Sequence, residues 1–88
     1  MKLKYNFAIQ KVTNFWAAVP VGADAKRYKG VMSLNETARD MLEFLREDLT
    51  EEELVQKMLK EYEVEEQELR PQVHDFITKL QAEGLLDD

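Results

Sequence analysis

The sequence predicts an α+β fold in which three antiparallel strands come first and three helices follow. Three observations carry this expectation. Residues between Phe7 and Leu34 are rich in branched and aromatic side chains that alternate with polar ones, the period of a half-buried strand. From Asn35 onward the apolar residues recur three and four positions apart, the period of an amphipathic helix. Two end signals, Thr50 with Glu53 and a late Gly84, punctuate that second region as a helix start and a helix stop.

The first strand is expected over about residues 6–12, with Phe7 and Ile9 on one face. Thr13-Asn14 supplies a tight turn, because Asn tolerates positive φ. The second strand spans about 15–21, and Pro20 places it at an edge or at its own end. Gly22 to Ala25 reads as a loop. A third strand is expected over about 27–34, with Tyr28, Gly30, Met32 and Leu34 on one face and Lys29, Val31 and Ser33 on the other. Asn35 then caps a first helix over about 36–47. Thr50 and Glu53 form a capping box for a second helix over about 51–62, with Leu49 and Leu54 as its hydrophobic staple. Pro71 would remove a backbone bond from a helix begun much earlier, so the third helix is placed at about 68–83. Gly84 caps it, and Leu85-Leu86 packs back. With short connections throughout, the order resembles a winged helix whose strands have moved to the N-terminus.

Eighty-eight residues suffice for a single domain, residues 1–88, with a modest core and no deep enclosed cavity. The sequence has no cysteine, which removes disulfides and thiolate metal sites and fits a reducing, cytoplasmic setting. No signal-peptide core or run of about 20 apolar residues is present, so no membrane partner is expected. The net charge of −6 conceals a division. Residues 1–34 hold six basic residues against one acidic, whereas residues 35–88 hold six against seventeen.

Catalysis needs a nucleophile or base held by partners. The chain offers one histidine, His74, one serine, Ser33, and no cysteine. Asp75 adjoins His74 on a helix and points about 100° away from it, so it cannot orient the imidazole. No metal-ligand spacing such as H-x-x-x-H is present. The acidic run Glu51-Glu52-Glu53 suits a helix N-terminus, where the macrodipole favours negative charge. The expectation is therefore a protein that is not an enzyme and carries no cofactor or metal.

A winged-helix outline raises DNA binding, which makes a DNA-binding regulator the alternative reading. Phosphate recognition needs Lys or Arg on the reading helix. The third helix instead offers Arg70 and Lys79 among Glu66, Glu68, Asp75 and Glu83, so no nucleic-acid partner is expected. A generic protein-interaction adaptor is the third reading.

The stretch from Gly30 to Leu45, with Leu34-Asn35-Glu36-Thr37 opening the first helix, resembles the family of the pyrroloquinoline-quinone synthesis protein D. The Thr50-Glu51-Glu52-Glu53-Leu54 box, Glu61-Tyr62-Glu63-Val64, Val73, Phe76-Ile77, Leu80 and Gly84-Leu85-Leu86 continue the likeness, which covers about residues 5–87. That resemblance implies a recognition element for the leader of a ribosomally synthesised precursor peptide. The leader would add as a further strand beside the third strand and third helix. The implied second partner is a modifying enzyme, in many cases a radical S-adenosylmethionine protein.

An open third-strand edge suits strand addition on physical grounds, because a guest backbone satisfies its free donors and acceptors. The candidate peptide-binding residues are Arg27, Tyr28, Lys29, Gly30, Val31, Met32 and Ser33 on that strand, and Arg70, Val73, His74, Ile77 and Gln81 on the third helix. On a helical wheel Ile77 lies to one side of the stripe Leu69, Val73, Phe76, Leu80, beside Arg70, His74 and Gln81. It is either a groove wall, with Arg70 and His74 at the rim, or a widening of the core stripe. Lys26, Arg27 and Lys29 either steer an acidic leader segment or blunt an aggregation-prone edge. An open edge also admits a second copy, as a homodimer or a strand-swapped dimer.

Overall fold

The structure, a computed structural model, describes residues 1–28 and 30–87. The three expected antiparallel strands and three helices are present in order, an α+β arrangement, with a two-residue strand added near each end of the chain. The strands and helices are β1 (Lys2–Leu3), β2 (Phe7–Val12), β3 (Phe15–Pro20), β4 (Met32–Leu34), α1 (Glu36–Phe44), α2 (Glu51–Glu61), α3 (Glu66–Ala82) and β5 (Leu86–Asp87), with a 3-10 helix at Gly22–Lys26. They form two compact units, Tyr5–Arg39 and Met1–Lys4 with Asp40–Asp88.

In the first unit, β2 and β3 form a hairpin whose register runs from Phe7 opposite Pro20 to Val12 opposite Phe15. The turn forces Thr13 to a φ of 47°, a left-handed conformation that an L-residue adopts only under local constraint. Strand β4 pairs with β3 through Trp16–Leu34, Ala17–Ser33 and Ala18–Met32. Alternation then sorts the side chains: Phe7, Ala18, Met32 and Leu34 on one face are buried.

The third strand is shorter than the sequence suggests. It begins at Met32 rather than near Arg27. The Asp24 carbonyl accepts the N–H groups of both Arg27 and Tyr28, at 3.0 and 3.1 Å, and so closes a 3-10 turn where a loop and then a strand were expected. Gly30 adopts a φ of 148°, a region that L side chains avoid. The polar–apolar alternation across residues 28–34 is real, but only its last three residues join a ladder.

The second unit is closed by its ends. β1 pairs with β5, placing Lys2 opposite Asp87 and Leu3 opposite Leu86. The Leu3 N–H donates to the Leu45 carbonyl at 2.8 Å, and the Met1 ammonium meets Asp48 at 2.7 Å. Two residues are too short to show a period, so this pair left no mark in the sequence. Leu42, Leu45, Leu54, Val55, Met58, Val73, Leu80 and Leu85 are all fully buried.

Helix ends follow the local signals. The Asn35 Oδ1 accepts the Ala38 N–H at 2.8 Å, capping α1. The N–H groups of Arg46 and Glu47 donate only three residues back, to Glu43 and Phe44. Those 3-10 bonds tighten the chain after Phe44, so α1 stops short of residue 47. At α2 the Thr50 hydroxyl accepts from the Glu53 N–H while the Glu53 carboxylate accepts from the Thr50 N–H. α3 starts at Glu66, two residues before the expected start, with Pro71 inside it. Proline removes one bond to the carbonyl four residues back, and the Glu66–Arg70 ion pair at 2.8 Å joins the turn around it. At the other end the Leu85 N–H donates to Leu80 and the Gly84 N–H to Gln81. With Gly84 at a φ of 70°, this is the Schellman arrangement.

Polar side chains tie α2 to α3. The Arg70 guanidinium donates to both Glu52 oxygens at 2.6 and 2.9 Å, and His74 Nδ1 lies 3.3 Å from Glu51. The hydrogen bonds from Arg70, then that from Gln56, hold the Glu52 carboxyl at about 2, below its ordinary 4.5. The pair in turn raises the Arg70 guanidinium.

Two outcomes follow from these contacts. Thr50→Ala removes half of the capping box and should destabilise the fold by about 1 kcal/mol, read as a lower urea midpoint at unchanged slope. Because the folded-state pKa of Glu52 is depressed, its pairing stabilises the protein above pH 4.5 and is lost as pH falls toward about 2. The urea midpoint of Glu52→Gln should therefore lie below that of the parent at neutral pH, and the gap should close across that acid window.

Candidate peptide-binding edge

Among the described residues β4 is hydrogen-bonded to β3 alone. A strand paired on one side presents a row of N–H and C=O groups on the other. The edge is short and its side chains alternate, with Met32 and Leu34 turned into the buried set and Ser33 exposed. No charged side chain stands within Gly30–Leu34. The other outer strand, β2, carries the exposed Lys11, a charge of the kind that blunts a sheet edge against pairing.

The segment leading into β4 is anchored by rings. Tyr28 stacks on Tyr5 at 6.4 Å between centroids and meets Phe7 edge-on at 5.7 Å, both favoured geometries for aromatic pairs. Tyr28 is thus half-buried and committed to its own unit. Tyr5, which completes the group, went unnoticed in the sequence because it lies outside the alternating run. Arg27 and Gly30 are exposed, Val31 is 62% exposed, and Lys29 lies outside the described residues. Arg27, Tyr28, Gly30 and Val31, expected in the strand, precede it instead.

The face of the sheet opposite Phe7, Ala18, Met32 and Leu34 is only partly open: Gln10, Val12, Phe15 and Ser33 are exposed, Ala8 and Val19 half-buried and Ala17 buried. Ala8 faces Val19, Gln10 faces Ala17, Val12 faces Phe15 and Ala17 faces Ser33. None of these seven residues is charged. On the opposite face Lys11 and Arg39 approach the Trp16 ring, 5.8 and 4.4 Å from its centroid, within reach of its π-cloud.

The third-helix candidates divide differently from the expectation. Val73 is fully buried and Ile77 only 3% exposed, so Ile77 widens the core stripe. The alternative of a groove wall is corrected by that burial, while Phe76 stands half-exposed. Arg70 and His74 are exposed or partly so, but both are engaged with glutamates of α2, because their side of α3 faces that helix. Gln81 is exposed. No group of three or more potential metal ligands occurs among the described residues, and none of their helices is long and apolar enough to cross a membrane.

Comparison with known proteins gives these features a context. No curated protein matches the chain significantly. A solved structure described as "TbiB1 in Complex with the TbiA(beta) Leader Peptide" shares the fold, with a TM-score of 0.72 at 18% identity, covering 99% of this chain and 95% of that one. The family described as Coenzyme PQQ synthesis protein D (PqqD) matches residues 22–86. That span takes in β4 and all three helices, and the chain belongs to the PqqD family.

Proposed function

We propose that residues 1–88 act as one non-catalytic domain that binds the leader of a ribosomally synthesised precursor peptide. The leader pairs in extended form with the β4 edge, and the core peptide passes to a separate modifying enzyme, a radical S-adenosylmethionine protein. The observation that carries this reading is the one-sided pairing of β4 in a member of the PqqD family. The fold similarity to a protein solved with a leader peptide supports it.

The physics of such an edge favours a peptide over other ligands. Main-chain hydrogen bonds supply sequence-tolerant affinity, and alternate side chains supply selectivity. Three paired residues give few ladder bonds, so side-chain contacts must contribute much of the affinity. Val31, Ser33 and the uncharged outer face offer apolar and small-residue contacts on one side of the guest. Holding the peptide near the enzyme raises its effective concentration without new chemistry.

The test is amide chemical-shift mapping on the labelled chain, with the leader peptide encoded beside it and, in parallel, a DNA duplex. Shifts concentrated at residues 30–34 with the peptide, and none with the duplex, are expected. Shifts confined to β2 or to α2 would remove the proposed edge, and a response to the duplex alone would restore the regulator reading. Ser33→Pro, which removes one N–H from β4 and constrains the strand, should weaken peptide binding at least tenfold if strand pairing provides the contact.

A further inference from the structure

The chain carries 18 acidic residues, and several of its cations are already engaged. Arg46 pairs with Glu43, and Arg70 with Glu52 and Glu66. Lys11 and Arg39 lie over Trp16, and Lys57 over Phe44. Lys26 and Arg27 differ. Both are exposed at the end of the 3-10 helix, and neither side chain has an ion-pair partner among the described residues. The nearest acid in sequence, Asp24, directs its carboxylate to the Asn6 N–H at 2.8 Å.

Their placement relative to β4 is informative. The strand begins five positions after Arg27, beyond the φ reversal at Gly30. The two cations therefore lie past the N-terminal end of the strand and out of its register. Every pairing in this sheet is antiparallel, and a guest continuing that pattern makes the more stable ladder. Such a guest runs opposite to β4, so its C-terminal continuation leaves the sheet at the end where β3 finishes and the turn carrying Lys26 and Arg27 begins.

Building on the strand-addition reading above, we propose that Lys26 and Arg27 form an anion subsite for Asp or Glu side chains. These acids would directly follow, in the C-terminal direction, the peptide segment paired with β4. The subsite selects both the charge and the polarity of the guest, discriminating against a peptide laid down in the reverse direction. Exposed pairs of this kind contribute modestly and are screened by salt, so the expected preference is roughly threefold to tenfold at low ionic strength.

Three labelled synthetic peptides test it by fluorescence anisotropy against the full chain. They share one alternating Val-Thr segment, with Asp-Glu after it, Asp-Glu before it, or Asn-Gln after it. The first should bind tightest, and its advantage should vanish at high salt and in K26Q/R27Q, a doubly substituted chain with two uncharged surface side chains. In K26E/R27E the order should invert in favour of a fourth peptide ending in Lys-Lys. Equal binding of the first three peptides would overturn the subsite and leave strand addition standing. So would a preference for Asp-Glu after the segment that survives in K26Q/R27Q. Failure of all of them to bind would also overturn the subsite, while strand addition is decided separately by the shift mapping with the encoded leader.

Discussion

The constraint on which the site depends is that backbone N–H and C=O groups must find partners. In the sheet unit β3 satisfies this demand on both sides, whereas β4 satisfies it on one. An edge of this kind is tolerated when it is brief, since few groups are then left without a partner. A longer unpaired strand of the same composition would invite aggregation. The closing of residues 22–28 into a 3-10 turn and the reversal at Gly30 limit the open ladder to three residues. The Tyr5–Tyr28–Phe7 ring group fixes the approach to it. The features that shorten the edge therefore also hold it in place.

In the helical unit, closure comes from residues far apart in sequence. Strand β1 meets β5 across nearly the full length of the chain, and the Schellman turn at Gly84 directs Leu85 into the core before β5 begins. Side-chain contacts reinforce this arrangement: the Tyr62 hydroxyl donates to Asp40, linking the end of α2 to α1. The result is a compact helical body with no buried polar or charged residue among its described residues. Such a body supplies stability, and leaves little interior chemistry to exploit.

Charge is distributed by role. Glutamates at the start of α2 suit the helix dipole, and they also receive Arg70 and His74 from α3. Side chains that a helical wheel assigns to a groove rim are thereby drawn into holding two helices together. A wheel reports direction around one axis, and it carries no information about which neighbour occupies that direction.

The sequence by itself determined the three sheet strands and three helices in their order, the capping box at Thr50, the cap at Asn35 and the stop at Gly84. Each rests on interactions within a few residues: hydrogen bonds to N3, a left-handed glycine, a period of two or three and a half. It also revealed the family likeness and the separation of charge. Only the tertiary structure decided that Ile77 is core, that Arg70 and His74 face α2, that β1 meets β5, and that the third strand starts at Met32. These outcomes turn on partners distant along the chain, or on a backbone reversal that side-chain alternation does not record. A polar–apolar rhythm states which way side chains point, whereas a strand exists only where a neighbouring backbone accepts its hydrogen bonds.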